Sequence, residues 1–366
     1  MLENLKFKLS QRADADRLRI LRPILVLLSW VYSLLYSLRN FLYSIGVLKT
    51  YDLKRDFPKV KVISVGNITV GGTGKTPWTI FLADKISKSG RRVAILTRGY
   101  GRKSSGLIIL DEKNKRQKNW WEVGDEPYLM ASKLNGIPIV VNSNRAEAGR
   151  WALYNNHAQV LILDDGFQNK GIKKDLEIVI IDATNPFGNF KLLPAGILRE
   201  TTKNLKRADL LILNKVDQNT SKEKLLNYLN NISKAPIIQS HYKKKYFVNV
   251  HSEEAIPIEQ LGGKRCLVFC GIANPYPFVE SLKQVPIQIV DTKFFSDHYV
   301  YKEKDLLNLV EEGLIQKADF LVTTEKDKVR LPNVIPKLPI YALKIEVKIT
   351  RGEEVLEQKL KQVLEL

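Results

Sequence analysis

From residue 60 onward, short β-branched runs alternate with stretches long enough for a helix: VKVISV, RVAILT, IPIVVN, AQVLIL, EIVIID and DLLILN. Apolar runs of this length, separated by helical patterns, predict a parallel, doubly wound α/β sheet. Between residues 220 and 262 the alternation loosens into the Lys- and Asn-rich strings NTSKEKLLNYLNNISK and HYKKKYF. It resumes in RCLVFCGI, VPIQIV, ADFLVTT and LPIYAL. The economical division is a helical segment over 1–50, a core over 51–240, a linker over 241–261 and a smaller α/β lobe over 262–366. The polar stretch DEKNKRQKNWWEVGDEP reads as a hairpin or insertion beside the loops of the core.

The amino-terminal pattern is different. Residues 23–38, PILVLLSWVYSLLYSL, carry no charge and lie between Arg22 and Arg39. Sixteen such residues fall short of the 18 or so of a confident membrane span. A helix here places Leu18, Leu21, Leu25, Leu28, Tyr32 and Leu35 on one face and leaves only Ser29, Ser33 and Ser37 as a weak polar stripe. Nearly the whole circumference asks for an apolar environment, either a protein core or a membrane surface. Basic flanks and Trp30, Tyr32, Tyr36 and Tyr43 suit the membrane interface. A cleaved signal peptide is not expected, because Glu3, Asp14 and Asp16 precede the apolar run and no small-residue cleavage site follows it.

Composition narrows the partners. With 58 Lys+Arg against 39 Asp+Glu the net charge is +19, which points to a polyanion: nucleic acid, an anionic membrane or a phosphorylated substrate. The basic residues are dispersed and no nucleic-acid recognition module is present, so a nucleic-acid partner is not expected. Cys266 and Cys270 share one face of an apolar strand and read as buried thiols in a reducing compartment.

Chemistry enters at the string VISVGNITVGGTGKTPW. A strand runs into a glycine loop and then a helix, the order that lets backbone N–H groups and the positive helix end hold phosphate oxygens. Thr69, Val70, Gly71, Gly72, Thr73 and Gly74 would form the cradle. Lys75 would reach the β- and γ-phosphates, and the Thr76 hydroxyl would ligate magnesium. The strict pattern has glycine six positions before the lysine, where this chain has Thr69. The apolar strand AQVLIL ends in Asp164 and Asp165, carboxylates placed to serve the metal at a strand's carboxyl end. One string points elsewhere: Asn214-Lys215-Val216-Asp217 has the Asn-Lys-x-Asp form that reads guanine in P-loop GTPases, so a GTPase or GTP-driven metallochaperone is the alternative.

These strings, together with LTRGYGR, VGDEP, NRAEAG, LDDGFQN, LLPAGILRE, GIANP, SDHY and TTEKDKVRL, closely resemble the tetraacyldisaccharide 4'-kinases of lipid A biosynthesis, from about residue 20 to 331. The family's own loop shares the Gly-Asn…Gly-Gly-x-Gly-Lys-Thr form. The resemblance implies an ATP- and magnesium-dependent enzyme that phosphorylates the 4'-hydroxyl of a lipid disaccharide 1-phosphate at the cytoplasmic face of the bacterial inner membrane. It would be peripheral or monotopic, docked on anionic lipid, with no obligate protein partner. Asp125 is similar to the family's catalytic aspartate and His298 to its partner histidine, with Glu126 a candidate for magnesium or its water shell. Arg98, Tyr100, Arg102, Arg145, Gln168, Arg199 and Glu200 match motif positions that imply contacts to sugar or phosphate, and Gln168 could also organise the metal. TTEKDKVRL is read as a hinge or lobe contact outside catalysis.

Overall fold

The computed structural model describes residues 2–365 apart from Arg116 and Thr220, with side chains from Arg22 onward. Thirteen strands among them join one sheet. The first half holds β1 (Lys61–Gly66), β2 (Val93–Thr97), β3 (Ile108–Leu110), β4 (Ile139–Val141), β5 (Val160–Asp164), β6 (Leu176–Asp182) and β7 (Leu210–Asn214). The second is built from β8 (Ile237–Asn249), β9 (Ala255–Ile256), β10 (Arg265–Cys270), β11 (Gln288–Phe294), β12 (Phe320–Thr324) and β13 (Ile340–Arg351).

Across the first half the order is β3-β4-β2-β5-β1-β6-β7-β8, parallel except for the antiparallel edge strand β3. Strands β2, β4, β5 and β7 are buried at every position, the consequence of helices on both faces. The helices are α1 (Leu2–Ser44), α2 (Lys75–Lys88), α3 (Trp120–Val123), α4 (Asp125–Lys133), α5 (Arg145–Asn155) and α6 (Lys222–Ile232). Trp78 and Leu82 of α2 and Met130 of α4 pack on Ile63, Ile95 and Ile139. On the opposite face Ala148 and Ala152 of α5 pack on Ala94 and Leu161. The second half adds α7 (Tyr276–Lys283), α8 (Glu303–Ile315), α9 (Glu325–Lys328) and α10 (Glu353–Leu364) around the parallel strands β11-β10-β12-β13.

The stretch expected as a linker, 241–261, contains most of a long strand. β8 starts parallel to β7, with Ile237 beside Leu211, and continues antiparallel to β13 as far as Asn249 opposite Tyr341. One two-stranded ribbon therefore belongs to both halves. Its run of lysines concealed it: Lys243 and Lys245 point to solvent from a ribbon only half buried. Helix α10 also crosses the expected boundary, since Leu356, Leu360 and Leu364 complete the core of the first half around Ile63.

From Arg22 onward α1 lies along the first half with its sparse polar residues inward. Ser29 Oγ donates to Leu192 O at 2.9 Å and accepts from Ala195 N at 3.0 Å. Tyr32 OH donates to Arg199 O at 2.8 Å, Tyr36 OH to Glu200 Oε2 at 2.7 Å, and Arg39 Nη2 to Gln168 O at 3.0 Å. Of the weak serine stripe, Ser29 is buried against protein and Ser37 is exposed, while Leu28 and Leu35 turn out, 47 % and 60 % exposed. Leu18 and Leu21 lie outside the residues whose side chains are described. The core-helix reading is overturned, because only 6 % of the most apolar window of Arg22–Ser44 is buried in the protein. Tyr32 and Tyr36 spend their hydroxyls on the body and not at a membrane interface.

Candidate functional site

The glycine loop leaves β1 where the strand order reverses, between β5 and β6, the position at which doubly wound sheets bind ligands. Thr69 forms an isolated bridge with Leu198, and Val70 N donates to Ile197 O at 2.8 Å. Extended, paired backbone needs no glycine, which accounts for Thr69 in the variant loop. Gly74 does require its residue type: its φ is 98°, and a Cβ would stand 1.9 Å from Tyr242 OH. Lys75 and Thr76 open α2, and Lys75 Nζ lies 3.6 Å from Asp165 Oδ1.

Asp164 and Asp165 are neighbours with opposite electrostatics. Asp164 accepts Thr97 Oγ1 at 3.0 Å and Thr79 Oγ1 at 3.4 Å. Burial, then the charges of Glu126 and Asp165, push its carboxyl up to about 7. Asp165 turns out of the strand at φ 54°, and Arg199 Nη1 donates to both its oxygens at 2.8 and 2.7 Å. Burial opposes its charge, but Lys75 and Arg199 outweigh burial and hold it near 2.

The P-loop face also receives a carboxylate from α4 and its partners from the second half. Asp125, 4 % exposed, begins α4 and accepts Glu126 N at Oδ1, 2.9 Å away. Its Oδ2 lies 2.8 Å from His298 Nδ1 and 3.5 Å from Arg330 Nη1. Lys326 Nζ lies 3.0 Å from Glu126 Oε1 and 3.3 Å from His298 Nε2. An ammonium only donates, so Nε2 accepts and the ring proton sits on Nδ1, directed at Asp125. Burial alone would raise the Asp125 carboxyl, but the His298 hydrogen bond and the charges of Lys326 and Arg330 bring it below the ordinary range. Lys326 stays cationic, because Glu126, Asp125 and Asp297 outweigh its own burial.

Several residues expected to touch substrate are engaged elsewhere. Glu200 has no exposed side-chain surface and accepts from Tyr36, Gln168, Asn204 and Arg207, so it supports the site from beneath. Gln168 Nε2 donates to Asn67 O and Glu200 Oε1, both at 2.7 Å, and its Oε1 faces Arg199 at 3.4 Å, so its amide braces the site. Arg145 is buried behind Asp164, donating to Asn142 O and Asp164 O, and burial lowers it to about 10. Arg102 holds its own loop through Val141 O and Gly106 O. Arg199 serves Asp165. Of this set Arg98 and Tyr100 are exposed, and the Tyr100 ring stands 5.4 Å from that of His298.

Lys326 and Arg330 were missed by sequence reasoning. Their four-residue spacing in TTEKDKVRL, which puts both on one side of a helical turn, was the available signal. Glu126, expected near metal, is instead paired with Lys326. Among the described residues no group of three or more His, Cys, Asp or Glu side chains forms a protein metal cage. Magnesium bound beside phosphates takes one or two carboxylates and fills its remaining positions with phosphate and water. Asp164, raised first by burial and then by the charges of Glu126 and Asp165, is a carboxyl whose ionised form such an ion would favour.

Comparison with known proteins places the whole chain in one family. The family described as Tetraacyldisaccharide-1-P 4'-kinase matches residues 21–365. A tetraacyldisaccharide 4'-kinase of Halothermothrix orenii is 34 % identical, with 90 % of each chain covered. That of Elusimicrobium minutum is 36 % identical over 91 % of this chain and 89 % of its own. A crystal structure of LpxK from Aquifex aeolicus in complex with ATP superposes with a TM-score of 0.73 at 32 % identity, covering 94 % of this chain and 99 % of that one.

Proposed function

The chain belongs to the tetraacyldisaccharide 4'-kinase family, and on that premise we propose how its residues carry out the reaction. The activity is transfer of the γ-phosphate of ATP to the 4'-hydroxyl of tetraacyldisaccharide 1-phosphate in lipid A biosynthesis. The backbone N–H groups of Gly71, Gly72, Gly74, Lys75 and Thr76 hold the triphosphate, with the Lys75 ammonium on its β- and γ-oxygens. Thr76 and Asp164, with Asp165 beside them, would hold Mg2+, which supplies charge neutralisation for the phosphates. The sugar 4'-oxygen bonds to the γ-phosphorus as the bond to the β–γ bridging oxygen breaks, and that bond's electron pair leaves with ADP. Asp125 takes the hydroxyl proton. Its Oδ2 faces both His298 at 2.8 Å and Arg330 at 3.5 Å, while Oδ1 accepts one backbone bond from Glu126 N, so the remaining lone pair of Oδ1 receives the proton. His298 orients the carboxylate, and Arg330 and Lys326 keep it ionised and ready to accept.

A single contact carries the catalytic assignment: the Asp125–His298 pair joins a helix of the first half to a loop of the second on the P-loop side of the sheet. Asp125→Asn keeps the shape and removes the base. The expected result is a fall in kcat of about 10²–10⁴-fold with ATP affinity retained. Normal turnover in this variant would refute the assignment.

The membrane reading rests on α1. Ile24, Leu27, Val31, Leu34, Leu38, Phe41 and Ile45 recur at three- and four-residue spacing and are all exposed, while the opposite face is bonded to the body. A helix held along its side favours monotopic insertion at an anionic surface over a free span. The acyl chains of the substrate stay in the bilayer, which suits the cytoplasmic face of the inner membrane. The Asn-Lys-x-Asp string does not favour a GTPase, because Asn214 is 0 % exposed and has no surface for a base.

A further inference from the structure

The Asn-Lys-x-Asp string is left without a role by the kinase chemistry, yet its first two side chains are fully engaged. Asn214 Nδ2 donates to Thr73 O at 3.1 Å and to Tyr242 OH at 2.7 Å, and its Oδ1 accepts Ser240 Oγ at 3.1 Å. Both amide hydrogens are spent inside the protein. Lys215, held at a left-handed φ of 59°, donates from Nζ to Gly72 O at 3.1 Å and pairs with Asp182. The carbonyls of two consecutive P-loop residues are thus pinned by donors from the end of β7. Tyr242 closes the arrangement from β8, its hydroxyl filling the space that a side chain at Gly74 would occupy.

A phosphate cradle works by presenting N–H groups, and each peptide it uses also carries a carbonyl oxygen that repels phosphate. A peptide free to flip would turn that oxygen inward. Two fixed donors behind the loop prevent this: Asn214 holds Thr73 O and so keeps the Gly74 N–H turned to the ligand, and Lys215 holds Gly72 O, whose peptide N–H on Thr73 is itself bonded to Gly71 O at 3.1 Å. We propose that Asn214, Lys215 and Tyr242 are positioning residues that lock the backbone of the phosphate loop, so that this string braces the ATP cradle and reads no base. Tyr242 lies on the ribbon shared by both halves of the sheet, so the brace ties the cradle to the strand on which the two halves meet. The inference rests on Gly71–Thr76 being the ATP cradle, and Lys75→Ala tests that premise separately.

The test compares full-length enzyme carrying Tyr242→Phe or Asn214→Ala with the parent, in detergent micelles with the lipid acceptor. The readouts are the KM for ATP, the KM for acceptor, the ATP-to-GTP ratio of kcat/KM and the thermal midpoint. Loss of the two donated bonds of Asn214 should raise the KM for ATP about tenfold, and Tyr242→Phe about threefold. Acceptor KM and the ATP-to-GTP ratio should stay within twofold of the parent. A rise in nucleotide KM without a change in base preference is not what a general loss of stability produces. The proposal is overturned if folded Tyr242→Phe keeps its KM for ATP, or if Asn214→Ala changes the ATP-to-GTP ratio, which would make Asn214 a base reader. Should Asn214→Ala fail to fold, Tyr242→Phe decides alone. If Lys75→Ala binds ATP normally, the cradle assignment fails, whatever the brace variants do.

Discussion

In the protein without metal or nucleotide, Asp164 should weaken the fold at neutral pH, and Asp164→Asn should relieve the cost. The carboxyl is buried among Thr79 and Thr97, faces the charges of Glu126 and Asp165, and ionises only near pH 7 in the folded state. Unfolded, it ionises near 3.8. The folded state therefore holds the extra proton between those values, so stability is full below pH 4 and is lost as pH rises through 7. A gap of about three pH units at ~1.4 kcal/mol each makes the loss at most ~4 kcal/mol at pH 8. An asparagine keeps the shape and offers the two threonine hydroxyls an uncharged partner. Thermal unfolding of parent and variant in chelator, from pH 4.5 to 8, measures the difference. The variant should melt several degrees higher at pH 8, and the advantage should shrink steadily toward pH 4.5. Magnesium with nucleotide should stabilise the parent and not the variant, which should also lose phosphotransfer. A variant no more stable than the parent at pH 8, or an advantage independent of pH, would refute the reasoning.

Two further outcomes follow from the geometry. Replacing Leu27, Leu34 and Leu38 by serine removes three exposed side chains worth roughly 1.5–3 kcal/mol each when fully inserted; co-sedimentation with anionic vesicles should fall at least 100-fold while the melting temperature barely moves. Lys326→Met removes the cation shared by Glu126 and His298, and should lower kcat about ten- to 100-fold with ATP affinity little changed, whereas Lys326→Arg should recover part of the loss in steady-state assays.

The parallel core was legible because strands buried on both faces leave unbroken apolar runs, as VLILD and LLILN do. The long strand β8 was not, since half of it faces water and its lysines imitate a linker. Helix α10 carries a clear apolar stripe, but the sequence holds no sign of which half that stripe covers. At the site, the phosphate loop and the two aspartates share a local pattern and were found as a unit. The Asp125–His298 pair spans 173 residues, and resemblance to a family, not spacing, brought it together. The bracing bonds of Glu200, Gln168 and Arg145 were not legible for one reason: a polar residue in a motif looks the same whether it faces the substrate or braces the residue that does. Burial separates the two, and burial is a property of the fold.

Kinase action on the lipid is measured by supplying γ-labelled ATP, and in parallel γ-labelled GTP, with detergent-dispersed tetraacyldisaccharide 1-phosphate and locating the label. Label from ATP should appear on the 4'-oxygen of the lipid, with much slower release of phosphate when the acceptor is omitted. Label released as free phosphate from GTP at a rate indifferent to the lipid would contradict it.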